Sequence, residues 1–306
     1  MATVQSEVDW QSTKKTVSDR NRHMLNNSEM SDVSFTCQGS HKIFYAHKYV
    51  LGTSSAVFKA MFYGDLAENN SVLHLSDTDE KSLDEFLRFL YTDECNLTTD
   101  NVVSVIYLSK KYIVPALTEK CVAVLESNMK YENVTSILEQ AMHFNEQKLE
   151  TKCWEFIELN TKRTVASEDF NNISQKTLAN LLKRDQLNIP EVDLFRAVIK
   201  WIDYQDSEFE KDANQKVTRR SRRSAIGDSI YDVRFLAMTE REFAQNVATS
   251  GLLTAEEMIP IYNKFNDVDS PELKWKLSKK RSNGGHFYHK IDVRETCEKK
   301  KKKKGY

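Results

Sequence analysis

The sequence predicts an α+β protein, in which a small sheet covered by helices is followed by an all-helical part. Strand-like alternation is confined to the region before Asp79, for example at Val33, Phe35 and Cys37. From Asp79 onward, apolar residues recur at helical spacing. The 306 residues include only 8 Gly and 4 Pro, and so few helix breakers favour a mostly helical fold.

Composition limits the classes of protein that are compatible with this chain. Apolar residues make up 40% and charged residues 29% of the sequence, which suits a packed core in roughly two domains of about 150 residues. No apolar run resembles a signal peptide or approaches the roughly 20 residues of a membrane span. We therefore expect a cytoplasmic protein, with the nucleus as an alternative.

The cysteines indicate neither a disulfide framework nor a metal site. Their number is odd and none forms a CxxC pair. We expect buried, reduced thiols, no metal and no cofactor. The five are Cys37, Cys95, Cys121, Cys153 and Cys297.

Residues 1–27 are predicted to form an amphipathic helix ahead of the first domain. Its apolar positions are separated by steps of seven and eight, which place them on one helical stripe. Such a stripe needs a surface to bury against, and a partner chain can supply that surface. The stripe comprises Val8, Trp10, Val17, Met24 and Leu25.

Three strands and a helical hairpin follow. Gln38-Gly39-Ser40 is a turn signal after the first strand. Ile43 and Tyr45 alternate with Lys42 and Phe44 and predict the second strand, and Val72, Leu73 and Leu75 predict the third. Between them, the stretch from His47 to Gly64 changes to helical spacing. It is predicted to break at Gly52–Ser54, with Ser54 or Ser55 as an N-cap and Gly64-Asp65 as the end.

Helices are predicted along most of the remaining chain. Thr78 or Asp79 is a candidate N-cap, Thr98-Thr99-Asp100 starts another helix, and Pro115 lies at a first turn. Thr254 with Glu257 forms a capping-box pattern. Residues 206–224 are polar and predict a solvated connection between helices. The later helices are predicted at 133–144, 146–160, 176–183 and 191–204.

These elements resemble those of a known pair of domains. Residues 28–130 are similar to the BTB/POZ domain, and residues 131–265 resemble the helical BACK domain. MFYGDLAE and KKYIVPAL point to the BTB–BACK–PHR group, which includes BTB/POZ domain-containing proteins of types 1, 2, 3 and 6. The BTB/POZ signature is carried by Asp32-Val33, Phe44, Ala46-His47-Lys48, Leu51, Ser54-Ser55, Phe58 and Met61-Phe62. The late BACK motifs are carried by Val233-Arg234-Phe235, Met238 and Ser250-Gly251-Leu252-Leu253.

One departure from this group concerns the residues after Phe265. Members of the group continue into a β-sandwich, the PHR domain, but no run of alternating strands follows Phe265 here. The expectation is that this chain lacks that domain. Residues 266–306 are predicted to be a basic, disordered tail that contains six consecutive lysines, Lys299–Lys304.

The resemblance implies a non-catalytic adaptor that recruits a cullin-3 RING E3 ubiquitin ligase to a protein substrate. Leu66-Ala67-Glu68 matches the family's φ-x-E motif, in which an apolar residue fills a cullin pocket and a carboxylate sets the register. Tyr112 and Ile113 are implied as the next cullin contacts. An apolar cullin extension is implied to bind the segment called the 3-box, although most of its apolar side chains are expected to be core residues. The segment contains Val134, Ile137, Leu138, Ala141 and Phe144.

The resemblance also implies a homodimer. Trp10, Val17, Met24 and Leu25 lie in the element that BTB dimers exchange between protomers. The alternative is a BTB dimer that acts as a transcriptional or scaffolding protein without ligase activity, nuclear through its lysine tail. We expect neither a membrane partner nor a specific nucleic-acid partner.

An enzyme built on His47 and Ser55 is the competing interpretation of the helical hairpin. A catalytic serine needs a base that is held by a third group, and often a G-x-S-x-G elbow, which is absent here. With 8 Gly in the chain, no glycine-rich phosphate loop is present either. We therefore expect His47 to hydrogen-bond backbone, Ser54 or Ser55 to cap a helix, and the protein to have no catalytic residues.

Overall fold

The computed structural model describes residues 9–65, 67, 70–212, 222–269 and 275, with the backbone alone for 207–212. The chain divides into two compact units, the first ending at Trp154 and the second starting at Glu155. A three-stranded sheet with helices forms the first unit, and the described part of the second unit is helical. This is the predicted α+β class.

The sheet has the strand order β2–β1–β3. β1 pairs antiparallel with β2 and parallel with β3, so that Phe35 lies opposite Phe44 on one side and Leu73 on the other. These three side chains are buried and form the core face of the sheet. The strands are β1 Val33–Cys37, β2 Phe44–Ala46 and β3 Val72–Leu75.

Ile43 and Tyr45, the residues whose spacing predicted the second strand, lie on its exposed face. Phe44 and Ala46 are fully buried, whereas Ile43 is 46% exposed and Tyr45 37% exposed. Because side chains alternate across a strand, pairing with β1 decides which set points inward. Phe44 lies opposite the buried Phe35, so Ile43 and Tyr45 point to the outer face.

Among the described residues, eight helices lie within the first unit and a ninth runs across its boundary with the second. The hairpin break falls at Ser55, and the sixth helix starts after its N-cap Asn101 rather than at Thr98. The helices are α1 Trp10–Thr13, α2 Val17–Met24, α3 Lys48–Ser54, α4 Ala56–Tyr63, α5 Glu80–Thr92, α6 Val102–Lys111, α7 Pro115–Ser127, α8 Val134–His143 and α9 Gln147–Thr164.

The described part of the N-terminal arm contains two short helices, so the prediction of one continuous stripe is wrong. Thr16 caps α2 in a capping box with Asp19, and this local signal starts a new helix. Trp10 therefore lies on α1 and Val17 on α2. Arg22 on α2 forms a 2.7 Å ion pair with Glu94, just after α5.

The second unit continues with longer helices and several single turns. Asp169–Asn172, Gly227–Asp232 and Phe235–Ala237 form 3-10 turns, and Phe243–Val247 is one π-helical turn. The capping box of Thr254 and Glu257 is confirmed at the start of the last helix. The helices are α10 Gln175–Lys183, α11 Glu191–Asp212, α12 Arg222–Ile226, α13 Glu240–Glu242 and α14 Ala255–Phe265.

Two helices that end in this unit, α9 and α11, extend beyond their predicted C-terminal ends. α11 continues to Asp212, so the polar connection predicted at 206–224 does not begin at 206; residues 213–221 of it lie outside the described residues. α9 extends past residue 160 to Thr164, with non-helical dihedral angles at Asn160. Asn188 stabilises this kink by donating its backbone N–H to the Glu158 carbonyl at 3.2 Å.

Trp275 belongs to the packed part of the second unit rather than to an extended tail. It is buried, and its ring centroid lies 5.3 Å from that of Tyr231 and 6.1 Å from that of Phe235. The rest of the predicted tail after Asp269 lies outside the described residues. None of the described helices is both long and apolar enough to cross a membrane.

Candidate partner-binding surface

Ser55 joins the helical hairpin to the junction between α6 and α7. Its Oγ accepts the backbone N–H of Phe58 at 3.2 Å, which caps the N-terminus of α4. The same hydroxyl donates to the carbonyl oxygen of Tyr112 at 2.6 Å. Tyr112 is the C-cap of α6, where carbonyls lack helical partners. The Ser55 hydroxyl therefore accepts a hydrogen bond at the N-terminus of α4 and donates one at the C-terminus of α6.

The ring of Tyr112 lies in the core of the first unit. It stacks on Phe58 at a centroid distance of 4.3 Å and an angle of 15°, and contacts Phe86 at 5.3 Å. Only 2% of Tyr112 is exposed. The resemblance implied that Tyr112 contacts cullin-3; in the folded chain its ring is buried in the core, and the contact stays a prediction.

Ile113 is the residue that the junction presents to solvent. It is 57% exposed and has a φ of +52°. Its N–H donates to the Lys110 carbonyl at 3.2 Å, and the N–H of Val114 donates to the Ser109 carbonyl at 2.7 Å. This is the Schellman pattern, whose left-handed position usually holds Gly or Asn. A β-branched residue is an outlier there and costs about 1–2 kcal/mol.

A second junction in the same unit has the same geometry without the strained residue. Asn145 has a φ of +55°, and its N–H donates to the Met142 carbonyl at 3.3 Å. The N–H of Glu146 donates to the Ala141 carbonyl at 2.8 Å. The two junctions are joined by an ion pair between Lys110 and Glu146. Because the fold places an asparagine in one of them, the turn itself does not require the isoleucine at 113.

Charged groups lie beside Ile113 on α6. Lys111 Nζ is 2.7 Å from Asp77 Oδ2, and Tyr107 donates its hydroxyl to the same oxygen at 2.5 Å. These hydrogen bonds, from Lys111 first and Tyr107 second, hold the pKa of Asp77 below its usual value. The pKa of Tyr107 is raised by the same contact with Asp77. The three side chains form a polar cluster that includes two residues of α6, the helix that ends just before Ile113.

The loop that carries the predicted φ-x-E motif follows α4. Leu66 and Glu68 lie outside the described residues, and between them Ala67 donates its N–H to the Gly64 carbonyl at 3.1 Å. Gly64 is required where the loop leaves α4, because a Cβ there would collide with the carbonyl oxygen of Ala60. Close packing against Ala60 therefore restricts residue 64 to glycine.

An apolar cavity of about 220 Å³ lies between α6, α7 and α8. Its apolar lining includes one residue of the predicted 3-box, Ile137. Val134, Leu138 and Ala141 of that segment are buried, while Phe144 is partly exposed at the end of α8. The lining residues are Thr99, Val102, Val103, Val124, Leu125, Asn128, Asn133, Ser136, Ile137 and Gln140.

The four arm residues predicted at a dimer interface are all at least partly exposed in the single chain. Val17 is 64% exposed, and Trp10, Met24 and Leu25 are partly exposed. The Trp10 ring stacks on His23 at 4.2 Å and its Nε1 donates to Glu29 at 3.0 Å. The arm therefore has contacts within its own chain and still leaves apolar surface open.

His47 and Ser55 have separate partners. His47 Nε2 lies 2.9 Å from the carbonyl of Glu29, and Nδ1 lies 2.8 Å from the hydroxyl of Tyr91. Since a carbonyl only accepts, the proton of a neutral His47 is on Nε2, and Tyr91 donates to Nδ1. Ser55 donates to Tyr112 instead. The geometry matches the structural interpretation of both residues, with Ser55 as the cap, rather than a nucleophile and its base.

The resemblance pointed to Ile113, but it did not predict the left-handed conformation of this residue. Pro115 disfavours a helical conformation at Val114, which implies that α6 ends before Val114 and places Ile113 just past the helix. The Ser55–Tyr112 and Asp77–Lys111 contacts join residues that are 57 and 34 positions apart. No local pattern signals either contact.

Comparison with known proteins identifies the two domains. Residues 21–129 match the family model of the BTB/POZ domain, and residues 134–226 match that of "BTB And C-terminal Kelch", the BACK domain. The chain therefore belongs to the BTB–BACK proteins, a family of the adaptor type. BTB domains generally mediate protein–protein interaction and dimerisation.

The similar proteins include BTB/POZ domain-containing proteins of types 6 and 3. The chain is 38% identical over 274 residues to protein 6-B of Danio rerio, covering 89% of this chain and 56% of the relative. It is 37% identical to protein 6 of Homo sapiens, covering 90% and 51%, and 34% identical to protein 3 of Homo sapiens, covering 89% and 52%. The chain thus spans about half the length of these relatives.

Proposed function

We propose that this protein is a non-catalytic, dimeric adaptor of the cytoplasm that recruits a cullin-3 RING E3 ubiquitin ligase to a protein substrate. The single observation that carries the proposal is Ile113, an exposed isoleucine in a left-handed conformation at the α6–α7 junction. Backbone strain of this kind is concentrated at functional sites. An apolar side chain held rigidly on a helix junction suits a pocket on a partner helix.

The cavity between α6, α7 and α8 supports the same proposal. Its base is apolar, with Val102, Leu125 and Ile137, and its edge carries the amide side chains of Asn128 and Gln140. Apolar burial with a few polar groups for orientation is the usual composition of a binding pocket. We infer that it takes apolar side chains of the cullin N-terminal extension, so that Ile113 and the cavity form two parts of one interface.

Binding of the purified full chain to the cullin-3 N-terminal domain tests the proposal. Ile113→Asp should weaken binding by about 30-fold or more, which is the roughly 2 kcal/mol of a hot-spot residue. Ile43→Asp is the matched control, because Ile43 is an isoleucine of the same unit with 46% exposure, and it should bind like the wild type. Leu66→Asp/Glu68→Ala tests the adjacent motif and should also weaken binding.

The cavity has its own test. Ser136→Phe fills the cavity from its exposed edge and should weaken binding of a cullin-3 domain that keeps its N-terminal extension. The same variant should bind a truncated domain, lacking the extension, as well as the wild type does. No binding by the wild-type chain, or equal binding by Ile113→Asp, would overturn the proposal and favour a BTB scaffold without ligase activity.

A further inference from the structure

The carbonyl that Ser55 holds belongs to the peptide bond between Tyr112 and Ile113. Tyr112 has φ −97° and ψ 7°, and Ile113 follows at φ +52°. The orientation of this peptide plane sets both the ψ of Tyr112 and the φ of Ile113. The 2.6 Å hydrogen bond from Ser55 Oγ therefore acts directly on the plane that defines the left-handed conformation.

Ser55 is well placed to hold that plane. It is 3% exposed, so water does not compete for its hydroxyl, and its Oγ is oriented by the Phe58 N–H that it accepts. Underneath, the rings of Tyr112 and Phe58 are stacked, so the two residues that Ser55 contacts also pack on each other. An isoleucine opposes the left-handed conformation, so the junction needs such a restraint more than the Asn145 junction does.

We propose that Ser55 is a positioning residue for the partner-binding surface: through the Tyr112 carbonyl it keeps Ile113 in the conformation that a partner recognises. The inference rests on the proposed function, in which Ile113 is a contact of cullin-3. It assigns a binding role to a serine that sequence analysis treated as a helix cap. The hairpin and the α6–α7 junction then act as one rigid surface rather than as two independent loops.

Three variants of the full chain test this role. Ser55→Ala removes the hydroxyl, and Ser55→Gly does so at a smaller cost to the cap, because glycine is tolerated at N-cap positions. Ser55→Thr keeps a hydroxyl on an extended backbone, φ −144° and ψ 124°, which suits a β-branched residue. Ser174→Ala is the matched control, since Ser174 caps α10 at the same 3.2 Å in the other unit.

Two measurements are made on each variant: the affinity for the cullin-3 N-terminal domain, and the Cα and Cβ chemical shifts of Ile113 in isoleucine-labelled protein. We expect Ser55→Ala and Ser55→Gly to lose about ten-fold in affinity, the equivalent of one buried hydrogen bond, and to move the Ile113 shifts away from left-handed values. Ser55→Thr should restore both, and Ser174→Ala should change neither.

The outcomes separate the two proposals. Unchanged Ile113 shifts in folded Ser55→Ala and Ser55→Gly would overturn the positioning role, whatever the affinity. Changed shifts with unchanged affinity would also overturn it, because the conformation of Ile113 would then not matter to the partner. If the wild-type chain does not bind the cullin-3 domain, the proposed function fails, and the chemical shifts alone still decide whether Ser55 holds Ile113.

Discussion

Ser55 donates a hydrogen bond of 2.6 Å to the carbonyl oxygen of Tyr112, a residue 57 positions later in the chain. The bond links the start of α4 to the end of α6 inside the core, where the Phe58 and Tyr112 rings stack. Ile113, which is exposed and expected to bind a partner, follows Tyr112 directly in the chain. The core therefore determines the geometry of the surface.

Exchanging the residues at the two left-handed junctions should have opposite effects on stability. Asn145→Ile should lower the free energy of unfolding by about 1–2 kcal/mol, because isoleucine resists a positive φ. Ile113→Asn should leave stability equal or higher, since the relieved strain offsets the lost contacts of a side chain that is 57% exposed. Urea denaturation of both variants and the wild type measures this.

The binding assay completes the exchange experiment. Ile113→Asn should bind cullin-3 more weakly although it is at least as stable, whereas Asn145→Ile should bind normally while folded. A strongly destabilised Ile113→Asn would contradict the claim that the isoleucine is retained for a partner and not for the fold.

The exposed Val17 should matter for dimer formation. Val17→Asp should lower the dimer fraction in sedimentation, because it places a charge on the apolar surface of α2. The substitution should not unfold the arm, since an acidic residue is favourable in the first turn of a helix. Val72→Asp is the matched control, a valine with 55% exposure in the same unit.

Deleting residues 1–27 gives an independent test of the arm. The deletion should also lower the dimer fraction, and an unchanged dimer in both the deletion and Val17→Asp would show that the arm does not bridge two protomers.

The ion pair between Asp77 and Lys111 should be sensitive to acid. The pKa of Asp77 is lowered in the folded protein by hydrogen bonds from Lys111 and Tyr107. A lowered pKa contributes stability above the unfolded value of about 3.9 and loses it as the pH falls through the folded pKa. Asp77→Asn should therefore be less stable than the wild type near neutral pH, by less than about 1 kcal/mol.

The difference between Asp77→Asn and the wild type should disappear in acid, once the pH falls below the lowered pKa of Asp77 in the folded protein. Thermal unfolding followed from neutral pH into acid measures it, with Glu119→Gln on the exposed face of α7 as the control. A difference that stays constant with pH would show that packing rather than the charge of Asp77 is responsible.

Two cysteines should resist alkylation in the native protein. Burial raises the pKa of Cys121 and of Cys153 to about 12, so that at neutral pH both thiols are protonated as well as inaccessible. Iodoacetamide followed by peptide mass spectrometry should modify the partly exposed Cys95 before Cys121 and Cys153. Cys121 and Cys153 should react once urea unfolds the chain, and prompt modification of Cys121 without denaturant would contradict the packing of α7.

Sequence reasoning worked where the deciding interactions are local. The N-cap at Asp79, the capping box at Thr254 and the proline at the first turn of α7 are confirmed, because each depends on residues within one helical turn. The break in the N-terminal arm has the same kind of signal at Thr16. It was missed because the apolar spacing across the break still fitted a single helix.

Contacts between segments that are distant in the sequence determined the features that the sequence did not predict. The spacing of Ile43 and Tyr45 predicted a strand but not its buried face, since that depends on where β1 lies. Ser55 was a candidate cap by sequence, and only packing showed that its hydroxyl also holds Tyr112. The left-handed Ile113 depends on the end of α6, on Pro115 and on a serine from another helix, so it required the assembled core.

The sequence by itself determined the order of strands and helices, most of the helix ends and the resemblance to the BTB–BACK proteins, because these are encoded by short-range spacing and motifs. The tertiary structure decided which residues support the surface and which present it. Tyr112 and Ile113 are neighbours in the sequence, yet one is buried in an aromatic stack and the other is exposed at the junction. Long-range contacts separate such neighbours, and the local sequence does not contain those contacts.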